Sequence, residues 1–320
     1  MSAIQVRPFR RSDRDQLTKL VNAHAAAVVP GMAVSVSAVL SSLERRPGEF
    51  IVDPWVSERA TLVAEQQGRV AAAAHLLRYY PDERAGRTYR NVGEILWLLF
   101  WPVAPAGNPF WAGAGAAADA LIAACSDQLD RWGVAEQSAS GDLPVAGVYG
   151  IPEQWPHISD LYERAGFAHT GHIEVVYLAK VADLPGIADP PIAGLSVRRS
   201  VGINGCRLSA VLDDEMIGYI EVEILDEGER LARHGGWADV GNLHVAAQHR
   251  RRGVATWLLG QAADWLALAN VDRLLNYAWL AGTDPGGLSY DAYRAFLTAA
   301  GFRELTRTRR VWTRIPDIRS

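Results

Sequence analysis

Apolar and polar residues alternate along Ile4-Gln5-Val6-Arg7-Pro8 and again along Leu195-Ser196-Val197-Arg198-Arg199. A period of two predicts strands, so each half of the chain opens on one. The halves then continue in parallel. Thr61 to Glu65 followed by Gly68, and Arg207 to Leu212 followed by Asp213-Asp214, each read as a strand entering a hairpin turn. Near the end of each half, Tyr162 to Phe167 and Leu297 to Phe302 read as a helix stopped at Gly166 or Gly301, residues suited to a left-handed C-cap. Strands follow over His172 to Leu178 and Thr306 to Thr313. A repeat this long exceeds the ~20–50 residues of a solenoid unit and predicts two copies of one domain.

Between the copies, Asp183-Leu184-Pro185-Gly186-Ile187-Ala188-Asp189-Pro190-Pro191 interrupts any periodic pattern, as a linker does. The expected division is 1–182, a linker over 183–193, and 194–320. A chain of 320 residues suits two domains. Its 49% hydrophobic and 21% charged residues are those of a globular protein. Cys125 and Cys206 stand in different halves, which argues against a disulfide framework and a zinc site, and no metal is expected. Neither a secretory leader nor an apolar run long enough to span a bilayer is present, so the expected location is the cytoplasm, with no membrane partner.

In the second half, Trp237 to Val245 reads as a strand and Ala255 to Leu268 as a helix with Leu258, Leu259, Ala262, Trp265 and Leu266 on one face. Gln248-His249-Arg250-Arg251-Arg252-Gly253-Val254-Ala255 lies between them. A strand, a short basic turn and a helix N-terminus make an anion site, because unpaired backbone N–H groups and the helix dipole face the ligand. The anion expected is a pyrophosphate. Gly253 lets the backbone approach it, Ala255 keeps the first turn slim, and the arginines add charge-assisted bonds.

Arg250, Gly253 and Ala255 occupy the defined positions of Q/R-x-x-G-x-G/A, and the segment resembles the GNAT superfamily of N-acetyltransferases. Asn242-Leu243-His244-Val245 and Ala300-Gly301-Phe302 extend the resemblance over most of residues 194–315. It implies an α/β (α+β) fold of two tandem GNAT-like domains, each a mixed, mostly antiparallel sheet flanked by helices. It further implies acetyl-CoA as co-substrate, bound by Leu243, His244, Val245, Arg250, Arg251, Arg252, Gly253, Val254, Ala255 and Thr256. By the same resemblance the N–H of Val245 is the candidate donor to the thioester oxygen.

An attacking amine must be neutral, which calls for a base. Asp239, eleven positions before Arg250, matches the strand position where several family members place one. His244 is an alternative, on the opposite strand face from Leu243 and Val245. Glu221 and Glu223 are weaker candidates. Many family members carry a tyrosine four residues before the closing glycine as general acid, but here that position is Leu297. Tyr290 and Tyr293 stand earlier on the same predicted helix, and Tyr293 is the acid candidate.

The first copy departs further from the pattern. Val92 to Phe100 takes the place of the cofactor strand with Glu94 where Asp239 stands, but the following turn has Phe110 at the arginine position. This copy is read as degenerate, although Tyr162 sits at its general-acid position. The function expected is acetyl transfer from acetyl-CoA to a primary amine of a small molecule or peptide, by direct attack in the second domain. The alternative is an acyl-CoA-binding module or sensor without efficient turnover. A net charge of -4 with confined basic residues argues against nucleic acid as a partner, and a homo-oligomer is left open.

Overall fold

In the computed structural model, residues 3–44, 53–102, 114–145, 147–203, 205–225, 236–280 and 289–314 are described. The chain forms two compact units, one of residues 1–172 with 308–320 and one of 173–307. Both mix strands and helices. No described helix is long and apolar enough to cross a membrane.

The first unit runs β1 (Ile4–Pro8), α1 (Arg14–Val28), α2 (Val36–Leu43), β2 (Val56–Gln66), β3 (Arg69–Tyr79), β4 (Val92–Phe100), α3 (Ala114–Trp132), β5 (Glu136–Ala139), β6 (Ile151–Pro152), α4 (Pro156–Arg164) and β7 (Ala168–His169). Gln67 and Gly68 both have positive φ, +54° and +73°, so the β2–β3 hairpin closes on a tight turn that matches strand twist. Helix α3 buries Ala114, Ala117, Ala118, Leu121, Ile122, Cys125 and Leu129, an apolar stripe at helical spacing, and packs on β2, β3 and β4.

In the second unit come β8 (Ile173–Lys180), β9 (Ser196–Gly202), β10 (Gly205–Leu212), β11 (Glu215–Leu225), β12 (Gly236–Val245), α5 (Val254–Leu268), β13 (Val271–Trp279), α6 (Tyr290–Ala299) and β14 (Arg303–Arg309); β15 (Trp312–Arg314) follows. Here Asp213 and Asp214 take φ of +49° and +64° in the β10–β11 turn. The helices α4 and α6 end alike. Phe167 N donates to Tyr162 O at 3.0 Å and Phe302 N to Leu297 O at 3.0 Å, each across a glycine at positive φ.

The first sheet has the order β1-β2-β3-β4-β5-β15-β7, antiparallel except where β4 meets β5. Within the second unit the strands run in the order β14-β8-β13-β12-β11-β10-β9, with β12 and β13 parallel. Strand β8, which follows the first copy's helix α4 in the chain, is thus a member of the second sheet, paired antiparallel with β13. Conversely, β15 sits between β5 and β7. The expected strand over Thr306 to Thr313 is two strands, broken at Val311 with φ +58°.

Residues 183–193, read from the sequence as a linker, lie inside the second unit. Leu184 is buried in its core. Trp257 Nε1 donates to Ala188 O at 3.2 Å, and a Cβ at Gly260 would stand 2.7 Å from Gly186 O. The prolines stop regular structure, and the segment is mostly exposed while Leu184 packs into the core.

Candidate active site

Parallel pairing of β12 with β13 runs from Gly236↔Val271 to Asp239↔Leu275. Beyond that rung β12 carries a bulge: Val240 pairs with Val222 and Asn242 with Glu221, which leaves Gly241 over. A bulge bends its strand and ends regular pairing. The two strands then enclose a cavity of about 140 Å³, lined by residues 240–243 of β12, 276–279 of β13, and Tyr290 and Tyr293 of α6.

Backbone groups are aimed into this fork. Ala246 N donates to Ile217 O at 2.9 Å, and residues of an antiparallel pair alternate in their bonding to the partner. His244 is therefore the next residue bonded to β11. The N–H and C=O of Leu243 and Val245 point the other way, to the side that the fork leaves open.

At the end of β12 the chain turns through Arg251 at φ +56° and Gly253 at φ +82°, then enters α5. The geometry of a helix leaves the N–H groups of Val254, Ala255 and Thr256 without intrahelical acceptors. They border a cavity of about 260 Å³ lined by Leu243, His244, Val245, His249, Arg250, Arg251, residues 253–256, and Ala292, Tyr293 and Phe296 of α6. Arg250 Nε donates to Val245 O at 2.9 Å, which ties the loop to the strand end.

Of the ten cofactor residues expected from the sequence, nine line this cavity. Arg252 does not. It is exposed, with Nη1 3.4 Å from His249 Nδ1. Sequence reasoning missed His249, Ala292 and Phe296. The last two share a face of α6 with Tyr293, a helical spacing that could have named them.

The catalytic candidates are less uniform. Asp239 stands at the last parallel rung, only 8% exposed, and lines neither cavity. Its Oδ1 accepts a bond from Tyr277 Oη at 3.0 Å, and Tyr277 does line the fork. His244 is exposed and borders the loop cavity, its ring 5.8 Å from that of Tyr219. Tyr293 lines both cavities and donates to Asn276 Oδ1 at 2.9 Å. Leu297 is buried in the core. Tyr290 Oη lies 3.0 Å from Tyr177 Oη. Glu221 is committed to an ion pair with Arg207 at 2.6 Å, and Glu223 is exposed.

The first unit repeats the bulge. Parallel pairing of β4 and β5 ends at Ile95↔Ala139, and Leu96 is the extra residue. Its carbonyl then accepts Gly141 N and Asp142 N, both at 2.8 Å, and Ser140 Oγ at 2.9 Å. Those bonds hold residues 140–142 to β4 at the bulge. Glu94 accepts Tyr79 Oη at 2.6 Å, and burial raises its carboxyl above the ordinary range. Tyr162 is wholly buried among Phe167 and Trp312, and burial pushes its phenol up as well. The turn residues Phe110 to Gly113 fall outside the described residues.

A sheet forked beside a bulge here carries a glycine-containing basic loop at a helix N-terminus, an arrangement suited to an anionic ligand. Residues 197–284 match the acetyltransferase (GNAT) family. No curated protein matches the chain. Among solved structures, a tandem GNAT protein from the clavulanic acid biosynthesis pathway is 16% identical, with a TM-score of 0.61 over 97% of this chain and 98% of that one. A GCN5-related N-acetyltransferase from Sphaerobacter thermophilus is 16% identical, with a TM-score of 0.59 over 98% and 97%. The GCN5-related glucosamine N-acetyltransferase region of a fungal multi-domain GH3 β-N-acetylglucosaminidase is 13% identical, with a TM-score of 0.60. That match takes in 98% of this chain and 38% of the fungal protein. At these identities the likeness is one of fold. Residues 197–284 are thus a GNAT-family acetyltransferase domain, and the chain as a whole has the tandem GNAT fold. The family uses acetyl-CoA.

Proposed function

We propose that the second unit transfers an acetyl group from acetyl-CoA to a primary amine of a small molecule or peptide, by direct attack of the amine. The observation that carries this reading is the pairing of two cavities through shared walls: Leu243 and Tyr293 line both the loop cavity and the fork. One cavity suits a cofactor and the other an acceptor.

The residues present fit the cofactor. Backbone N–H groups of Val254, Ala255 and Thr256, with Arg250 and Arg251, supply the donors that a pyrophosphate needs. Main-chain groups of Leu243 and Val245 face the fork, where an extended amide-bearing arm would bond to them. When bound, acetyl-CoA supplies a thioester carbonyl open to attack by a neutral amine. The Val245 N–H is the donor for the oxygen of that carbonyl, held in advance by β12. Tyr293, at the junction of the cavities, holds the proton for the departing sulfur. Asp239 is the final acceptor of the amine's proton. His244, on the exposed face of β12, is the secondary candidate.

Release of free thiol from acetyl-CoA, measured across a panel of amines, tests this reading, with Tyr293→Phe as the internal comparison. Steady turnover that falls in the variant supports it. Leu297, which fills the core where many family members have tyrosine, favours the second reading of an acyl-CoA-binding module. Tight acetyl-CoA binding without turnover of any amine would select that one.

A further inference from the structure

We infer that Tyr277 is the residue that takes the proton from the attacking amine, passing its own phenolic proton to Asp239. The inference rests on the acetyl transfer proposed above, with the fork as the acceptor side. Asp239 sits too deep to meet an amine itself: it is 8% exposed and is absent from the lining of both cavities. It pairs with Leu275 at the last parallel rung. Tyr277 is two residues further along β13 and so projects from the same face as Leu275, beside Asp239. Its hydroxyl reaches Asp239 Oδ1 at 3.0 Å while its ring lines the fork.

The other polar side chains of the fork lead elsewhere. Tyr293 donates to the amide oxygen of Asn276, Asn242 Nδ2 donates to Tyr219 Oη, and Tyr290 shares a bond with Tyr177. Among these bonds, that of Tyr277 is the one that ends on a carboxylate.

The protons balance. An ammonium N–H⁺ gives its proton to Tyr277 Oη as the phenolic proton moves to Asp239 Oδ1, leaving a neutral amine, a neutral phenol and a protonated Asp239. That carboxyl later returns the proton to solvent. The second nitrogen proton, lost as the amide forms, ends on the departing sulfur. The phenol never carries a full charge, which suits a site with little water. Among the described residues, Glu223 on β11 is the register partner of Asp239, and Arg273 on β13 lies over the Trp237 ring.

The test uses the full chain with acetyl-CoA and an amine that the wild type turns over. Tyr277→Phe and Asp239→Asn should each lower kcat/KM for the amine by about 10²–10³-fold, within the usual span of general-base effects, and leave the acetyl-CoA Kd unchanged. The double variant should be no slower than the slower single one, because both residues serve one path. Each deficit should shrink as the pH approaches the amine's own pKa, where little ammonium is left to deprotonate. A purely structural role would leave the deficit independent of pH. Full activity in Tyr277→Phe overturns the relay, whether or not Asp239→Asn is impaired. Tyr277→Phe removes a single oxygen and keeps the test open if Asp239→Asn fails to fold. A wild type that binds acetyl-CoA but acetylates no amine sinks the transfer and the relay together, whereas an active Tyr277→Phe enzyme sinks the relay alone.

Discussion

Arg250 reaches back across the turn to donate from Nε to the carbonyl of Val245 at 2.9 Å, so the loop that begins the larger cavity is bonded to the strand beside it. A bond from a charged donor of this type contributes about 1.5–3 kcal/mol. Arg250→Ala should therefore weaken acetyl-CoA binding by roughly tenfold through the lost bond and charge together. Arg250→Lys keeps the charge but has no Nε, and should recover only part of the affinity. Isothermal titration of both variants checks this, and equal affinities for lysine and wild type would remove the strand-tying role.

Gly253 occupies φ +82°, and a Cβ there would stand 3.2 Å from Pro191 Cβ. Conformation and space both select glycine. Acetyl-CoA at ~100 times its Kd should stabilise the wild type by about 2.7 kcal/mol, and Gly253→Trp should abolish the shift. Thermal unfolding with and without ligand reads it. A shift that survives the substitution places the cofactor elsewhere.

Leu96 O carries three donors at the bulge of the first unit, where residues 140–142 are fastened to β4. One acetyl-CoA per chain is the expected stoichiometry. Two equivalent sites in a titration would contradict a single cofactor site in the second unit.

Strand β15 supplies Trp312, which is fully buried, its ring 5.2 Å from His169 and 6.0 Å from Tyr162. Trp312→Ala should cost about 3–5 kcal/mol in the first unit, as large aromatic truncations do. A chain ended at residue 307 should lose cooperative unfolding of that unit, since β5 and β7 would have no strand between them. Denaturant titration followed by tryptophan fluorescence distinguishes these outcomes from an unaffected first unit.

His24 is buried, its Nδ1 2.9 Å from Leu20 O, and burial lowers its pKa to about 4. The unfolded chain, with an ordinary value near 6.5, binds a proton that the folded one refuses. Stability from this group is thus fully present above about pH 6.5 and is lost as the pH falls toward 4. Raised carboxyls such as Glu94 act with the opposite sign, so a comparison isolates the effect. The urea midpoint should fall between pH 7 and 5 more steeply in wild type than in His24→Gln. Identical slopes would exclude His24 as the cause.

The tight hairpins at 67–68 and 213–214, the glycine ends of α4 and α6, and the turn from β12 into α5 were legible from residue order. Each depends on neighbours within a few positions, through φ preferences, periodicity and unpaired backbone donors. Nine of ten expected lining residues follow from that locality, and Arg252 escapes it because a triple arginine does not say which side chain turns outward.

What the tertiary structure decided is non-local. Every strand presents the same row of donors and acceptors, so nothing in β8 or β15 names the sheet each joins; the available edge does. The same holds at the site. Tyr277 and Asp239 are 38 residues apart, and Tyr293 reaches the fork only because α6 packs over it. By itself the sequence determined a basic glycine loop at a helix N-terminus and two copies of a domain, because those are written in short-range pattern. Only packing decided which carboxylate lies under which hydroxyl, because that depends on where a bulge ends the pairing of two strands.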